Sequence, residues 1–215
     1  ITDHQELHTV EQNLSLLAPL NLAQISTKAT MHYLASDREY IQQCLRQQHA
    51  GGRYIVVHPT SRWFFKCWPE EKMASLITRL AAEGTTVVLT SGPDDAEMEM
   101  VSRILSMSRG ENIISLAGKM TLPQLAALID HAALFIGVDS VPMHMAAALN
   151  TPYVALFGPS KLTLWHPWEG EGVTLWAGDF GPLPDPDEIN TATSERYLDL
   201  IPVQAVLTPA QELLK

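Results

Sequence analysis

The sequence predicts a doubly wound, Rossmann-like α/β domain built on a parallel sheet, and three observations carry that prediction. From residue 53 onward, short β-branched apolar runs alternate with amphipathic stretches of helical length. The apolar runs are continuous rather than alternating, as in strands covered on both faces. Helix punctuation falls between them: Pro69 opens one helix and Gly84 closes it. Right-handed crossovers between such units give a sheet wound both ways from its middle.

Each element follows in order. Thr9 is placed to cap a helix through Leu17, with Leu14 and Leu17 as its apolar stripe and Pro19 just beyond its end. A lone helix cannot bury such a stripe, so it is expected to pack outside the main domain. An extended piece spans residues 29–33, and Ser36 reads as the cap of a helix over 37–48, closed by Gly51 and Gly52. Strands are then expected at 54–58, 86–90, 112–116, 134–137 and 153–157, with a weaker one at 173–176. Helices are expected at 69–83, 94–106, 122–131 and 142–149. Residues 180–190 form a Pro/Asp-rich loop, and 194–214 read as helix interrupted by Pro202 and Pro209. Residues 1–33 are therefore a linker with its helix, and 34–215 the domain with a helical tail.

The bulk numbers exclude several functions. With 215 residues the chain holds one sizeable domain and an appendage. Lys and Arg number 14 against 24 Asp and Glu, a net charge of −10, which argues against a nucleic-acid partner that needs a basic face. A phosphorylated small molecule needs only a few local donors and stays open. Cys44 and Cys67 lack the companions of a zinc site and read as reduced, cytosolic thiols. No apolar run approaches the roughly 20 residues of a membrane span, and no signal-peptide pattern opens the chain. The chain starts on Ile1 rather than Met, as a fragment would.

Ligands of such sheets bind beyond the carboxyl ends of the strands, so the loops there carry the chemistry. The first holds Thr60, Ser61, Arg62 and Lys66 ahead of a helix, two hydroxyls and two cations suited to an anion, or equally a capped and solvated surface turn. Neither GxGxxG nor GxxxxGK[ST] is present, which counts against ordinary dinucleotide and P-loop sites. In the second loop, Asp94 and Asp95 suit a first helical turn. Glu97 reads as a ribose partner or a solvated carboxylate. Met120 in the third is a soft wall for a planar base, or core. The fourth ends a buried strand with Asp139 and Ser140, followed by Val141 and, one helical turn on, His144. No GxSxG elbow accompanies Ser140 and His144, so binding is favoured over hydrolysis; capping by Ser140 and a core role for His144 remain open. The fifth, Gly158 to Lys161, turns tightly and reaches a ligand by its backbone. Trp165, Trp168 and Trp176 form a packing lid or a sugar platform.

Together, HPTS…KxWP, GPDDAE, LAGKMTLPQLAALI and FIGVDSVPMHMAAALNTPYVALFGPS resemble the C-terminal half of the heptosyltransferase family of glycosyltransferases. The segment from Thr9 to Leu17 is similar to that family's interdomain helix. The resemblance implies the C-terminal domain of a two-domain GT-B enzyme that binds ADP-heptose and needs no metal or other cofactor. Thr60, Ser61 and Lys66 would hold the diphosphate, with Lys66 offsetting charge on the leaving ADP. Glu97 would hold the ribose and Met120 line the adenine pocket. Asp139 and the amides of Ser140 and Val141 would meet the heptose and phosphates, supported by His144. Many relatives carry Asp-Thr-Gly-x-x-His where this chain has Ser140, Val141 and Pro142, so a side chain stands where glycine allows close backbone approach. The family's catalytic base, and its site for the lipopolysaccharide-core and lipid A acceptor, belong to an N-terminal domain that this sequence does not include. A cytoplasmic location, peripheral to the inner membrane, is implied as well. The competing readings are a UDP-sugar transferase or epimerase of the same architecture, and a non-catalytic nucleotide-binding or scaffold domain. A receiver-like domain is disfavoured, because its acids would cluster where this chain has His58, Thr60 and Ser61.

Overall fold

A computed structural model describes residues 7–215. Six strands form one all-parallel sheet: β1 (Tyr54–His58), β2 (Thr86–Leu89), β3 (Ile113–Ser115), β4 (Leu134–Val138), β5 (Tyr153–Phe157) and β6 (Gly172–Trp176). Their spatial order is β3-β2-β1-β4-β5-β6, the doubly wound order expected. The helices are α1 (Thr9–Ser15), α2 (Ala35–Gln47), α3 (Glu70–Ala82), α4 (Asp95–Met107), α5 (Leu122–Asp130), α6 (Val141–Ala148), α7 (Leu162–Trp165) and α8 (Val203–Leu213).

Every residue of β1, β4 and β5 is buried, which explains their uninterrupted apolar composition. Successive side chains point to opposite faces. Ile55 and Val57 meet the layer of α3, α4 and α8, while Val56 and Phe135 meet that of α2, α5 and α6. Trp68 is fully buried in the first layer, and its indole N–H donates to the Ile201 carbonyl at 3.1 Å. That bond ties the start of α3 to the segment leading into α8. Gly137 pairs with His58 across β1 and β4. A Cβ at Gly137 would lie 2.7 Å from the Phe135 ring and 3.1 Å from the His58 carbonyl, so the strand passes there only without a side chain.

Several local expectations are corrected. The cap of α1 is His8, not Thr9: its Nδ1 accepts the Val10 N–H at 3.2 Å, and its Nε2 meets the His166 carbonyl at 2.9 Å. That second bond fastens α1 to the main domain, so the helix does not pack wholly outside it. Leu34, not Ser36, is the capping position of α2, because the Asp37 carboxylate accepts the Leu34 N–H at 2.8 Å. Pro69 is the cap rather than the first residue of α3. Residues 29–33 join no strand; Tyr33 instead bonds Asp130 through its hydroxyl. The stretch 194–214 is helical only in part: a 3-10 turn spans Tyr197–Leu200, and α8 begins after the expected break at Pro202 but runs through Pro209. Burial of Val206, Leu207 and Ala210 on both sides of Pro209 outweighs the local cost of about 3 kcal/mol. The part of the 1–33 linker over residues 1–6 lies outside the described residues.

Truncating Trp68 removes a large buried side chain and takes from the Ile201 carbonyl the nearer of its two donors, leaving the Lys72 ammonium at 3.3 Å. Trp68→Ala is expected to destabilise the fold by about 3–5 kcal/mol, read from urea unfolding midpoints. A loss below about 1 kcal/mol would show that this joint carries little of the stability.

Candidate functional site

Strands β1 and β4 are neighbours whose crossovers leave in opposite directions, and beyond their carboxyl ends lies a cleft of about 930 Å³. All nine residues singled out from the sequence line it: Thr60, Ser61, Lys66, Glu97, Met120, Asp139, Ser140, Val141 and His144.

The loop after β1 is presented by a single 3-10 turn, Phe64–Lys66, anchored by buried Phe65. Arg196 braces the turn from the C-terminal segment: its guanidinium donates to the Phe64 carbonyl at 2.6 Å and lies over the Phe64 ring at 5.1 Å. Lys66 is thereby aimed across the cleft, with Nζ 2.6 Å from Asp139 Oδ2 and 5.1 Å from the Trp63 ring centre. Both members of this ion pair are largely shielded, at 17% and 7% side-chain exposure, so water screens the charges less than on an open surface. Ser160, after β5, donates to the same Asp139 oxygen at 2.6 Å. The sequence pointed to the backbone of that turn; the hydroxyl is what arrives.

On the other wall, Glu97 Oε2 accepts from the Thr60 hydroxyl at 2.6 Å and from the Gly92 N–H at 3.1 Å. A Cβ at Gly92 would meet both Glu97 carboxylate oxygens at 3.2 Å, so glycine lets the carboxylate fold onto its own loop. Asp94 is the cap of α4, accepting from the Ala96 and Glu97 amides at 3.0 and 3.4 Å, which turns Glu97 toward the cleft. Ser140 stands at the capping position of α6 without capping it: its hydroxyl turns back to the Val138 carbonyl at 3.1 Å. Val141, 59% exposed, begins α6 in the cleft. Met120 is half-buried against the core and lines the cleft beside Leu122, which is 57% exposed.

Arg62, the other cation of the first loop, also lines the cleft, as do Trp63 and Leu122, which were not distinguished by sequence; their neighbours in the loops were the available signal. Of the three tryptophans near the tail, Trp165 joins the cleft, tilted on His144 with ring centres 6.5 Å apart. Trp168 packs on His8 and bonds Thr27, and Trp176 bonds the Gly158 carbonyl. Cys44 and Cys67 are both free thiols, and burial pushes the Cys67 thiol up to about 12. Among the described residues, no group of three or more His, Cys, Asp or Glu is placed to hold a metal ion, and no helix is long and apolar enough to cross a membrane.

Two histidines at the cleft have depressed pKa values. Burial lowers His58 from 6.5 to about 4. Burial also lowers His144, outweighing the nearby Asp139 carboxylate, which raises it. Both rings are neutral at pH 7, donors and acceptors rather than cations.

The sequence model of glycosyltransferase family 9 (heptosyltransferase) matches residues 1–194. The chain belongs to this family. It is 41% identical over 207 residues to the lipopolysaccharide heptosyltransferase 3 of Escherichia coli, a match covering 96% of this chain and 60% of that protein. The crystal structure of the glycosyl transferase family 9 from Veillonella parvula DSM 2008 superposes with a TM-score of 0.83 at 23% identity, covering 97% of this chain and 60% of that one. The structure of E. coli ADP-heptose LPS heptosyltransferase II superposes with a TM-score of 0.67 at 26% identity, covering 86% and 53%. This family member thus spans about 60% of the length of the curated relative it matches.

The depressed His58 pKa makes stability depend on pH. The unfolded chain binds the proton more readily, so the contribution of His58 is complete above 6.5 and is lost as pH falls toward about 4. In that window the loss is at most about 1.4 kcal/mol per pH unit. His58→Gln should flatten the pH dependence of the unfolding free energy between pH 7 and 5; identical slopes for both chains would contradict the assignment.

Proposed function

We propose that this chain is the donor-binding part of an inverting, metal-independent glycosyltransferase that adds heptose from ADP-heptose to the lipopolysaccharide inner core. In this reading residues 1–33 are the interdomain linker and 34–215 the nucleotide-sugar domain. The observation that carries it is the polarity of one cleft: Lys66 and the start of α6 on one side, the Glu97 carboxylate on the other. A cation and a helix N-terminus suit a diphosphate, and a carboxylate held by two donors suits a ribose diol.

Ser61, Lys66 and the backbone of Thr60, whose hydroxyl proton is committed to Glu97, take the diphosphate, and Lys66 exchanges its Asp139 partner for phosphate oxygens. Its charge then offsets the negative charge growing on the departing ADP, the task a metal performs elsewhere. Met120 walls the adenine. Asp139, freed from Lys66 but still held by Ser160, turns to the heptose hydroxyls together with the amides of Ser140 and Val141, and neutral His144 supports it. The catalytic base and the lipopolysaccharide-core and lipid A acceptor site lie in the part of the protein that this chain does not span. The similarity to the E. coli lipopolysaccharide heptosyltransferase 3 supports that acceptor, and with it a cytoplasmic enzyme working at the inner-membrane surface.

Calorimetric titration separates this reading from its alternatives. ADP should bind and UDP bind at least tenfold more weakly, since the base pocket beside Met120 is apolar. Lys66→Ala should weaken ADP by about 10- to 100-fold, because it removes a charged donor and leaves Asp139 facing the phosphates. A preference for UDP would favour the UDP-sugar reading. No binding of either nucleotide by the folded chain would count against a donor site in this cleft.

A further inference from the structure

His58 is the buried titratable group of the cleft wall that these roles leave unused. It ends β1, is 4% exposed and has its ring nitrogens against two threonines: Nδ1 is 2.9 Å from Thr90 Oγ1 and Nε2 is 3.4 Å from Thr60 Oγ1. Thr60 and Thr90 are themselves fully buried.

The protons in this chain of groups can be counted. Thr60 has one hydroxyl proton, and at 2.6 Å it goes to Glu97 Oε2. Thr60 therefore has nothing to donate to His58, and the ring must present an N–H at Nε2 for that contact to be a hydrogen bond. With the proton on Nε2, Nδ1 is an acceptor, and the Thr90 hydroxyl donates to it at 2.9 Å in preference to the Val57 carbonyl at 3.4 Å. Every donor then has one acceptor: Thr90 to His58, His58 to Thr60, Thr60 to Glu97. The opposite tautomer sets the Nε2 lone pair against the lone pairs of Thr60, a buried acceptor with no donor. Gly137 pairs with His58 in the sheet, and a side chain there would press on the His58 carbonyl at 3.1 Å.

We propose that His58 is a positioning residue for the nucleotide: held as its Nε2–H tautomer, it orients the Thr60 hydroxyl, which in turn fixes the Glu97 carboxylate for the ribose. The chain of bonds runs in one direction from the core to the cleft, so each bond polarises the next. The second donor to Glu97, the Gly92 amide, comes from a loop, whereas Thr60 is tied through His58 to the end of β1 and to Thr90, the residue that follows β2. The proposal rests on the donor-site reading above.

A double-mutant cycle read by ADP calorimetry on the full chain tests it, with folding checked by circular dichroism and thermal unfolding. His58→Phe should weaken ADP about tenfold in the wild-type background but less than about twofold in Thr60→Val, because its route to the ligand is then already cut. His58→Gln, whose amide can still donate toward Thr60, should recover most of the affinity. Long-range ¹H–¹⁵N correlation spectra of the wild-type chain should show His58 protonated at Nε2 and bare at Nδ1. Equal losses in both backgrounds, or an Nδ1–H ring, would overturn the role of His58 while leaving ADP bound and the donor site intact. Failure of the folded wild-type chain to bind ADP would instead overturn the donor-site reading, and this proposal with it.

Discussion

Two parallel strands that lie side by side but send their crossovers to opposite faces cannot have their carboxyl ends covered by the same helix layer. In this protein those strands are β1 and β4, and the gap beyond them is the cleft. The rest of the site is arranged around that divergence. The loop after β1 and the start of α6 after β4 face each other, so Lys66 and Asp139 meet at 2.6 Å although 73 residues separate them. The loops after β2 and β5 flank the gap and bring Glu97 and Ser160 to its edges.

The cleft is built around charge as much as shape. Its one shielded ion pair, Lys66 with Asp139, holds a cation ready without leaving either charge uncompensated in low dielectric. In the proposed function an arriving diphosphate would offer Lys66 a stronger anionic partner, and Ser160 would keep Asp139 from losing all its donors in that exchange. Glu97 is treated differently: two neutral donors hold it and no cation does, so its second oxygen remains an acceptor for hydroxyls. Neutral rings at His58 and His144 fit this division, since a positive charge there would compete with Lys66 for the same anions.

Local rules located most elements but missed their ends where a distant residue supplies the partner. Thr9 has good capping chemistry, yet His8 caps α1 because its other ring nitrogen finds the His166 carbonyl, 158 residues away. Pro209 should break a helix, yet α8 continues because burial on both sides of it is worth more than the lost bond. Ser140 has the right type and place for a cap, but its hydroxyl bonds back to Val138 instead.

By itself the sequence determined the doubly wound sheet and the strand ends beyond which the cleft opens, while the family resemblance singled out nine of the residues that line the cleft. The sheet and its strand ends are read from periodicity, punctuation and residue type, all of which act over a few residues. Only the tertiary structure decided who partners whom: Lys66 with Asp139, Ser160 with Asp139, Arg196 with the Phe64 carbonyl, and His58 with both Thr60 and Thr90. Hydrogen bonds and ion pairs depend on distances of about 3 Å, and such distances between loops far apart in the chain exist only once the sheet order is set.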